Sequence, residues 1–217
     1  AALVLHVDVQ AQQEIVEVEV QGELRRVAES LILSTIGLEP GVELSMENVQ
    51  TAMHDLWNLN VFEDLEVWGQ ETPDGIKLVI KVEEAPALEG TRFKGQKEVK
   101  EKDLKEKLGL VDGQVITATT VARGRQQILD LYNEKGYLHA EVNGKRFDAE
   151  EEGKVFLQYD IDEGDKVKIK QIQILNNEAF TDGKLKKNME TKEKRWWRKG
   201  EFKAETYEED KKRLLGF

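Results

Sequence analysis

The stretch from Ile128 to Ile161, ILDLYNEKGYLHAEVNGKRFDAEEEGKVFLQYDI, decides how the rest of the chain is interpreted. Its first part, Ile128 to Tyr137, has the pattern of a helix end followed by a glycine and an aromatic residue. A short strand, Leu138 to Val142, a polar turn and a second strand, Val155 to Ile161, are predicted to follow. Alternating apolar residues give the second strand one buried face. The stretch therefore predicts a helix that leads into a β-hairpin.

An earlier part of the chain carries the same pattern. Four residues recur at one constant offset: Leu56, Asn58, Glu66 and Val67 match Leu131, Asn133, Glu141 and Val142. An aromatic residue is kept at the same offset in the pairs Trp57/Tyr132 and Phe62/Tyr137. A repeat of roughly 75–80 residues has the length of a small domain and is too long for a solenoid unit. The chain is therefore predicted to be a string of similar small domains.

Each complete repeat reads strand, helix, helix, strand, strand. Two helices return the chain to its starting end, so the second strand should run antiparallel to the first. The third strand has the strongest apolar alternation and is placed in the centre, whereas the short, charged second strand suits an edge. This predicts an α+β fold in which two helices cover a three-stranded mixed sheet. The predicted divisions are an N-terminal extension at 1–13, domains at 14–86 and 87–165, and an incomplete domain at 166–217.

Local signals place the helices of the first repeat. The first helix is predicted from Arg25 to Ile36 with Val27, Leu31 and Ile36 facing inward, and Gly37 ends it. Ser45 is predicted to cap the second helix, in which four residues form the inward stripe, namely Val49, Met53, Leu56 and Trp57. In the second repeat Thr117 stands where Ser45 stood.

The third repeat stops before its closing strands. A strand is predicted from Val167 to Leu175, then a helix from Thr181 to Met189, and Thr206-x-x-Glu209 is predicted to open a second helix as a capping box. Without the hairpin, five apolar residues are expected to face water: Ile172, Ile174, Leu185, Met189 and Leu214.

The N-terminal residues allow two interpretations. Val9 and Ala11 fit the small-x-small cleavage pattern at the end of a secretory signal. Leu3, Leu5, Val7 and Val9 also alternate as they would in a strand. In the second case we expect Leu3 to Val9 to pair with an exposed strand, in this chain or in a neighbouring molecule.

Composition excludes several classes of function. The net charge of −11 argues against binding to nucleic acid, whose phosphates need a basic surface. The chain has no cysteine, so disulfides and thiolate sites are excluded. His6, His54 and His139 lie far apart, and no phosphate loop or nucleophile motif is present. We therefore expect no enzyme activity, no catalytic residue, no cofactor and no metal.

Two kinds of candidate site remain. The second strand of each repeat is a predicted solvent-open edge and a predicted partner-binding site, which comprises Asp64, Leu65, Glu66, Val67, Trp68, Ala140, Glu141, Val142 and Asn143. The cluster of Arg195, Trp196, Trp197 and Arg198 could contact a membrane or a partner. In the alternative interpretation, one tryptophan covers the helix pair of the third repeat and the cations solvate a loop.

Five features occur together in this chain: the element order, the Leu131-Tyr-x-x-x-Gly-Tyr motif, the closing Ile161-Asp-Glu-Gly motif, the stretch from Thr191 to Arg198, and Tyr207-Glu-Glu-Asp. Together they resemble POTRA domains of the BamA family. This family assembles β-barrels in the bacterial outer membrane. The first repeat departs from the pattern at Val61, where glycine is typical, and lacks an asparagine after Gly22. The resemblance covers about Ile15 to Phe217.

The resemblance implies a segment on the periplasmic side of the outer membrane. The implied partners are unfolded outer-membrane proteins, lipoproteins of the assembly complex and the membrane barrel of the same full-length chain. Edge strands would bind client strands by β-augmentation and so promote barrel folding and insertion. Two alternatives are a POTRA region of a related secretion or translocation barrel protein and an interaction module of cell division.

Overall fold

The computed structural model describes the backbone of residues 4–6 and all of residues 14–216. These residues form two compact units. One unit contains the described residues up to Glu89 together with 112–120 and 148–155. The other contains 90–111, 121–147 and the described residues from Phe156 onward. The boundaries drawn from the sequence repeat stay a prediction.

The first repeat has the predicted order of elements and a four-stranded sheet. Its elements are β1 Val4–His6, β2 Ile15–Gln21, α1 Glu29–Ile36, α2 Met46–Asn58, β3 Phe62–Thr72 and β4 Gly75–Glu84. The strand order is β1-β3-β4-β2; β4 runs parallel to β2 and antiparallel to β3. The prediction that the third strand of the repeat is central, with the first strand parallel to it, is confirmed.

The second repeat contains the same five elements. They are β5 Ala87–Lys94, α3 Glu101–Leu108, α4 Ala118–Glu134, β6 Glu141–Asp148 and β7 Lys154–Asp162. The strand order β5-β7-β6 again puts the last strand in the middle. β6 begins three residues later than the strand predicted from Leu138. The α+β architecture predicted from the sequence is confirmed.

The core of the first repeat forms where β4 meets α2. Ile76, Leu78, Ile80 and Val82 are buried, as their alternation predicts. Their neighbours in the core include the three α2 residues Val49, Met53 and Leu56. Trp57 was expected in this stripe, but it is 42% exposed. Its position one residue beyond Leu56 turns the indole to the margin of the apolar face.

Helix α1 begins four residues later than predicted, and the pair of side chains that it buries is not the predicted one. Ile32 and Ile36, one helical turn apart, are buried, whereas Leu31 is 46% exposed. The prediction for Leu31 was therefore wrong. The helix starts late because a carboxylate from outside the helix binds the backbone of residues 25–27, as described below.

The predicted local signals at the other helix ends are present. The Ser45 hydroxyl accepts a hydrogen bond from the Asn48 N–H at 3.1 Å. The Thr117 hydroxyl accepts one from the Thr120 N–H at 3.3 Å. Both bonds satisfy backbone donors in the first turn that have no partner within their helix. The capping prediction is confirmed at both positions.

The third repeat differs most from the prediction. Its described elements are α5 Asp182–Asn188 and α6 Ala204–Leu215. Residues 167–175 form no regular strand, and only Lys168 makes an isolated bridge, to Glu201. The backbone of Val167 and Ile169 bonds to loop residues, among them Gly200 and Phe202, so the apolar alternation does not produce a regular strand. Helix α6 begins two residues before Thr206 and has no side-chain cap, so the predicted capping box is wrong.

The apolar residues of the third repeat are covered better than expected. Leu185 and Met189 are buried, and Ile172, Ile174 and Leu214 are half-buried, so the prediction that these five face water was wrong. Asp210 of α6 accepts the N–H groups of Glu190 and Thr191 at 2.7 and 2.6 Å. These bonds attach α6 to the end of α5 and close the apolar face.

Two glycines make room for a buried tyrosine in the second repeat. The Tyr159 hydroxyl donates a hydrogen bond to the Val121 carbonyl at 3.2 Å. A Cβ atom at Gly124 would lie 2.0 Å from this hydroxyl oxygen, and one at Gly144 would lie 2.9 Å from the Tyr159 ring. Burial raises the pKa of Tyr159 to about 12. The ring therefore occupies the space that these two side chains would fill.

We expect Gly124→Ala to destabilise the protein although alanine favours helix. The added methyl group would overpack a site that cannot relax, at a cost of about 1–3 kcal/mol, and the gain in helix propensity of up to about 1 kcal/mol only partly offsets it. Gly183→Ala in α5 is the matched control, because a Cβ there meets nothing within 4 Å. Urea unfolding should show opposite signs for the two variants. Equal stabilisation by both would contradict the packing described for Tyr159.

Candidate partner-binding edges

Strand β3 contains the first set of predicted partner-binding residues, Asp64 to Trp68. The side chains of Leu65 and Val67 are buried, and the other three are half-buried. A partner at this edge would therefore meet mainly backbone. The register continues without a break from Asp64 to Thr72, where Asp64 pairs with Glu83 and Thr72 with Gly75.

The outer side of β3 is not open along its whole length, contrary to the prediction. β1 pairs with β3 in parallel, with Val4 opposite Glu66, Leu5 opposite Val67 and His6 opposite Trp68. The prediction that an N-terminal segment pairs with an exposed strand is confirmed for Val4–His6, and the strand lies in the same chain. Leu3 and Val7 to Val9 lie outside the described residues.

The hairpin of β3 and β4 determines which backbone groups point outward. Thr72 and Gly75 face each other across the two-residue turn of Pro73 and Asp74. In such a hairpin the flanking pair is hydrogen-bonded, and bonded pairs then occur at every second residue. By this alternation, the backbone N–H and C=O groups of Glu66 and Trp68 bond to β4. The N–H and C=O groups of Val67 therefore point away from β4, towards β1.

Strand β6 contains the second predicted set, except for Ala140, which precedes it. Glu141 and Asn143 are exposed, whereas the Val142 side chain is 4% exposed. Among the strands that the structure describes, β6 has only β7 as a neighbour. An open groove of about 580 Å³ runs beside the start of β6 and is lined by Ala140 to Asn143 and by Arg125.

The Val142 carbonyl already has a hydrogen-bond partner from a helix. The Arg125 Nε–H of α4 donates to it at 2.8 Å. Val142 corresponds to Val67 in the repeat, whose carbonyl points away from the central strand. Arg125 therefore satisfies one outward acceptor of β6 and leaves the N–H of Val142 directed to the open side.

Glu84, the last residue of β4, has a role that the sequence analysis missed. Its side chain is 4% exposed. Oε1 accepts hydrogen bonds from the backbone N–H groups of Arg25, Arg26 and Val27 at 2.9, 3.0 and 2.8 Å. Burial of the carboxylate raises its pKa, but the three N–H groups outweigh burial, so the pKa lies below the ordinary value. We call this arrangement a carboxylate clamp.

The second repeat contains the same clamp. Oε1 of the buried Glu163 accepts from the N–H groups of Lys97, Glu98 and Val99 at 2.8, 2.9 and 3.4 Å. The Tyr132 hydroxyl also donates to it at 2.8 Å. Burial raises the pKa of Glu163 and these donors lower it below the ordinary value, whereas burial and the nearby carboxylate raise the pKa of Tyr132. The glutamate that closes each complete repeat thus binds the loop before its first helix.

The tryptophan turn, Arg195 to Arg198, is the third candidate. Arg195 and Arg198 exchange two backbone hydrogen bonds of 3.0 Å, which puts Trp196 and Trp197 at the tip of a tight turn. Trp196 is 92% exposed and Trp197 56%. The rings meet edge to face at 5.0 Å, and the Arg195 guanidinium lies 5.5 Å from the centre of the Trp197 ring. The alternative in which one tryptophan covers the helix pair is therefore wrong.

Within residues 14–216, no group of three or more histidine, aspartate and glutamate side chains is arranged to hold a metal ion. None of the helices found there combines the length and the apolar character that crossing a membrane requires.

Part of the chain is similar to a known family. The family model described as POTRA, surface antigen variable number repeat, matches residues 86–164. A putative outer membrane protein assembly factor of Treponema pallidum is 27% identical over 68% of this chain and 18% of its own length. The outer membrane protein assembly factor BamA of Neisseria meningitidis is 24% identical over 93% of this chain and 25% of its own length. The chain thus spans a quarter or less of these relatives.

A solved structure has the same fold. The N-terminal domain of Omp85 from the cyanobacterium Thermosynechococcus elongatus superposes with a TM-score of 0.55 and 20% sequence identity. The match covers 95% of this chain and 86% of the cyanobacterial one. At this identity the likeness concerns the fold alone.

Proposed function

We propose that this chain consists of POTRA domains of the BamA family, is the periplasmic part of an outer-membrane protein assembly factor and binds unfolded client strands by β-augmentation. Its clients would be outer-membrane proteins before they fold. It would act by binding, not by catalysis, and promote barrel folding and insertion. Lipoproteins of the assembly complex and the membrane barrel of the full-length protein are the further partners that we propose.

The pairing of β1 with β3 is the observation that carries this proposal. An extended segment of the chain lies on the outer side of β3 in register with Glu66 to Trp68. A client strand would use the same outward N–H and C=O groups. Because Leu65 and Val67 direct their side chains into the core, the outer side selects for an extended backbone more than for a particular sequence.

The affinity expected from such an edge is low. A net protein hydrogen bond contributes about 0.5–1.5 kcal/mol, so about four of them supply roughly 2–6 kcal/mol, which corresponds to dissociation constants of tens of micromolar or weaker before any side-chain contacts are added. Weak binding is compatible with the proposed role, since a client must be released to fold. β6 offers such an edge with fewer occupied groups than β3, because only β7 pairs with it among the described strands.

Proline at Val142 provides the test. It removes the outward N–H of β6 but no predicted ladder bond, and an edge strand tolerates proline better than a central one. We expect about tenfold weaker binding of a synthetic peptide that copies one strand of an outer-membrane β-barrel, measured by NMR shift changes at residues 141–148. Signals of β7 and α4 report whether the fold is kept.

Two control variants separate backbone from side chain. Val142→Ala loses most of the buried side chain but keeps the N–H, and Asn143→Ala removes an exposed side chain. Both should bind the peptide within about twofold of the unmodified protein, because the backbone makes the bonds. Peptide binding by Val142→Pro at full strength would contradict β-augmentation at β6. A loss caused by Asn143→Ala alone would instead indicate recognition by side chains.

A further inference from the structure

The tryptophan turn combines exposed indole rings with cations, most of which make no salt bridge within the described part of the chain. Residues 194–199 are all exposed. Among the described residues, Lys194, Arg195 and Arg198 make no salt bridge, and Lys199 reaches Glu201 only at 4.0 Å. This is a local basic surface on a chain whose net charge is −11. Its occupant should therefore be anionic.

The surface continues into a groove of about 1100 Å³. Lys168 and Lys194 line the groove together with the two tryptophans of the turn. Lys168 also makes no salt bridge among the residues that the structure describes. The lining also includes five acidic residues, namely Glu98, Asp162, Glu163, Asp165 and Glu201, so the groove is mixed in charge and the basic surface is that of the turn itself.

The shape of the turn favours a lipid surface over a protein partner. A stable protein interface buries about 800 Å² on each side and has a well-packed apolar centre. Here the exposed rings lie at the tip of a two-residue turn, and their immediate chain neighbours are cations. Indole rings prefer the headgroup region of a bilayer, where lysine and arginine can bind lipid phosphates at the same depth.

The overall negative charge does not prevent such a contact. Charges separated by more than about 8 Å are largely screened at physiological ionic strength. A lysine or arginine near an anionic bilayer strengthens binding about fivefold. All four charged residues within 194–199 are cations, and acidic side chains more than about 8 Å from the tip contribute little to the interaction there.

From these observations we propose that the tryptophan turn inserts at the headgroup level of an anionic phospholipid surface, with Trp196 and Trp197 as anchors and Arg195 and Arg198 on lipid phosphates. The residues of this contact differ from those of the strand edges that would bind clients. Its test needs no peptide, so the two proposals can fail independently.

Co-sedimentation with vesicles tests the proposal. The probes are vesicles of phosphatidylcholine alone and of phosphatidylcholine with phosphatidylglycerol at about three to one. We expect binding to the anionic vesicles that weakens as salt is raised from about 0.05 to 0.5 M. Replacing Trp196 and Trp197 together by alanine should weaken binding at least tenfold, and Arg195→Gln with Arg198→Gln should also weaken it at least tenfold.

Trp57→Ala is the matched control, because Trp57 is also exposed but lies on a helix in a different part of the chain. It should leave vesicle binding unchanged. All variants should keep the circular dichroism of the unmodified protein, since the altered side chains are largely exposed. Equal binding to neutral vesicles, or full binding by the Trp196/Trp197 double variant, would overturn the proposal. A turn that binds a protein of the assembly complex but no vesicle would also overturn it.

Discussion

Alanine at Gly95 is expected to destabilise the second repeat by more than about 3 kcal/mol or to unfold it. Gly95 has φ +90°, and a Cβ atom there would lie 2.0 Å from the Ile161 carbonyl oxygen. That oxygen belongs to the backbone of the central strand β7, so it cannot rotate away as a side chain would. Urea unfolding followed by circular dichroism measures the loss.

Gly113→Ala is the matched control for Gly95→Ala. Gly113 has a similar φ of +82°, but a Cβ atom there meets nothing within 4 Å. Only the left-handed backbone conformation is then penalised, at about 1–2 kcal/mol. Equal losses in the two variants would show that backbone conformation alone, and not contact with β7, requires glycine at position 95.

Loss of the Glu163 carboxylate is expected to have the second-largest effect. Glu163→Ala leaves three backbone N–H groups and the Tyr132 hydroxyl without their acceptor, in a buried site. Hydrogen bonds to a charged group contribute about 1.5–3 kcal/mol each in net terms, and contributions to one shared acceptor are not additive, so a loss of about 3 kcal/mol is expected. Glu141→Ala, at an exposed position, should change the free energy of unfolding by less than about 0.5 kcal/mol.

The same clamp predicts a pH dependence. The pKa of Glu163 is lowered in the folded state from its ordinary value of 4.5. Its contribution is therefore fully present above pH 4.5 and is lost as the pH falls through the lower, folded-state pKa. The difference in unfolding free energy between the unmodified protein and Glu163→Gln should be constant from pH 7 to about 5 and shrink in more acidic solution. A difference that does not change with pH would contradict an ionised clamp.

Local and periodic features of the fold could be read from the sequence. The apolar alternation of β4 and β7 gave their central position, and Ser45 and Thr117 gave two helix starts, because each signal lies within a few residues. The start of α1 could not be predicted in this way. It depends on Glu84, which binds Arg25 to Val27 from far along the chain. The strand predicted from Val167 to Leu175 was wrong for a related reason, since the backbone of Val167 and Ile169 bonds to the distant loop residues Phe202 and Gly200.

The candidate edges were predictable as strands but not in their surroundings. The charged character of β3 and β6 indicated strands beside the central one, but β3 has 11 residues and is not short, and β1 covers part of its outer side. Periodicity alone could not show that Val4–His6 would pair with Glu66 to Trp68, because that contact joins distant parts of the chain. The Arg125 bond to Val142 was missed for the same reason. The exposure of Trp196 follows from the tight turn, which composition alone could not establish.

The carboxylate clamp has a consequence for the order in which a nascent chain can fold. Glu84 and Glu163 end their last strands, yet they fix the loops that lead into the first helices of the same repeats. A ribosome delivers those loops long before it delivers the glutamates that bind them. The loop before the first helix of each repeat is therefore expected to lack its native structure until the final strand has emerged. A nascent chain that stops one residue before the glutamate should be far more sensitive to protease than one that includes it.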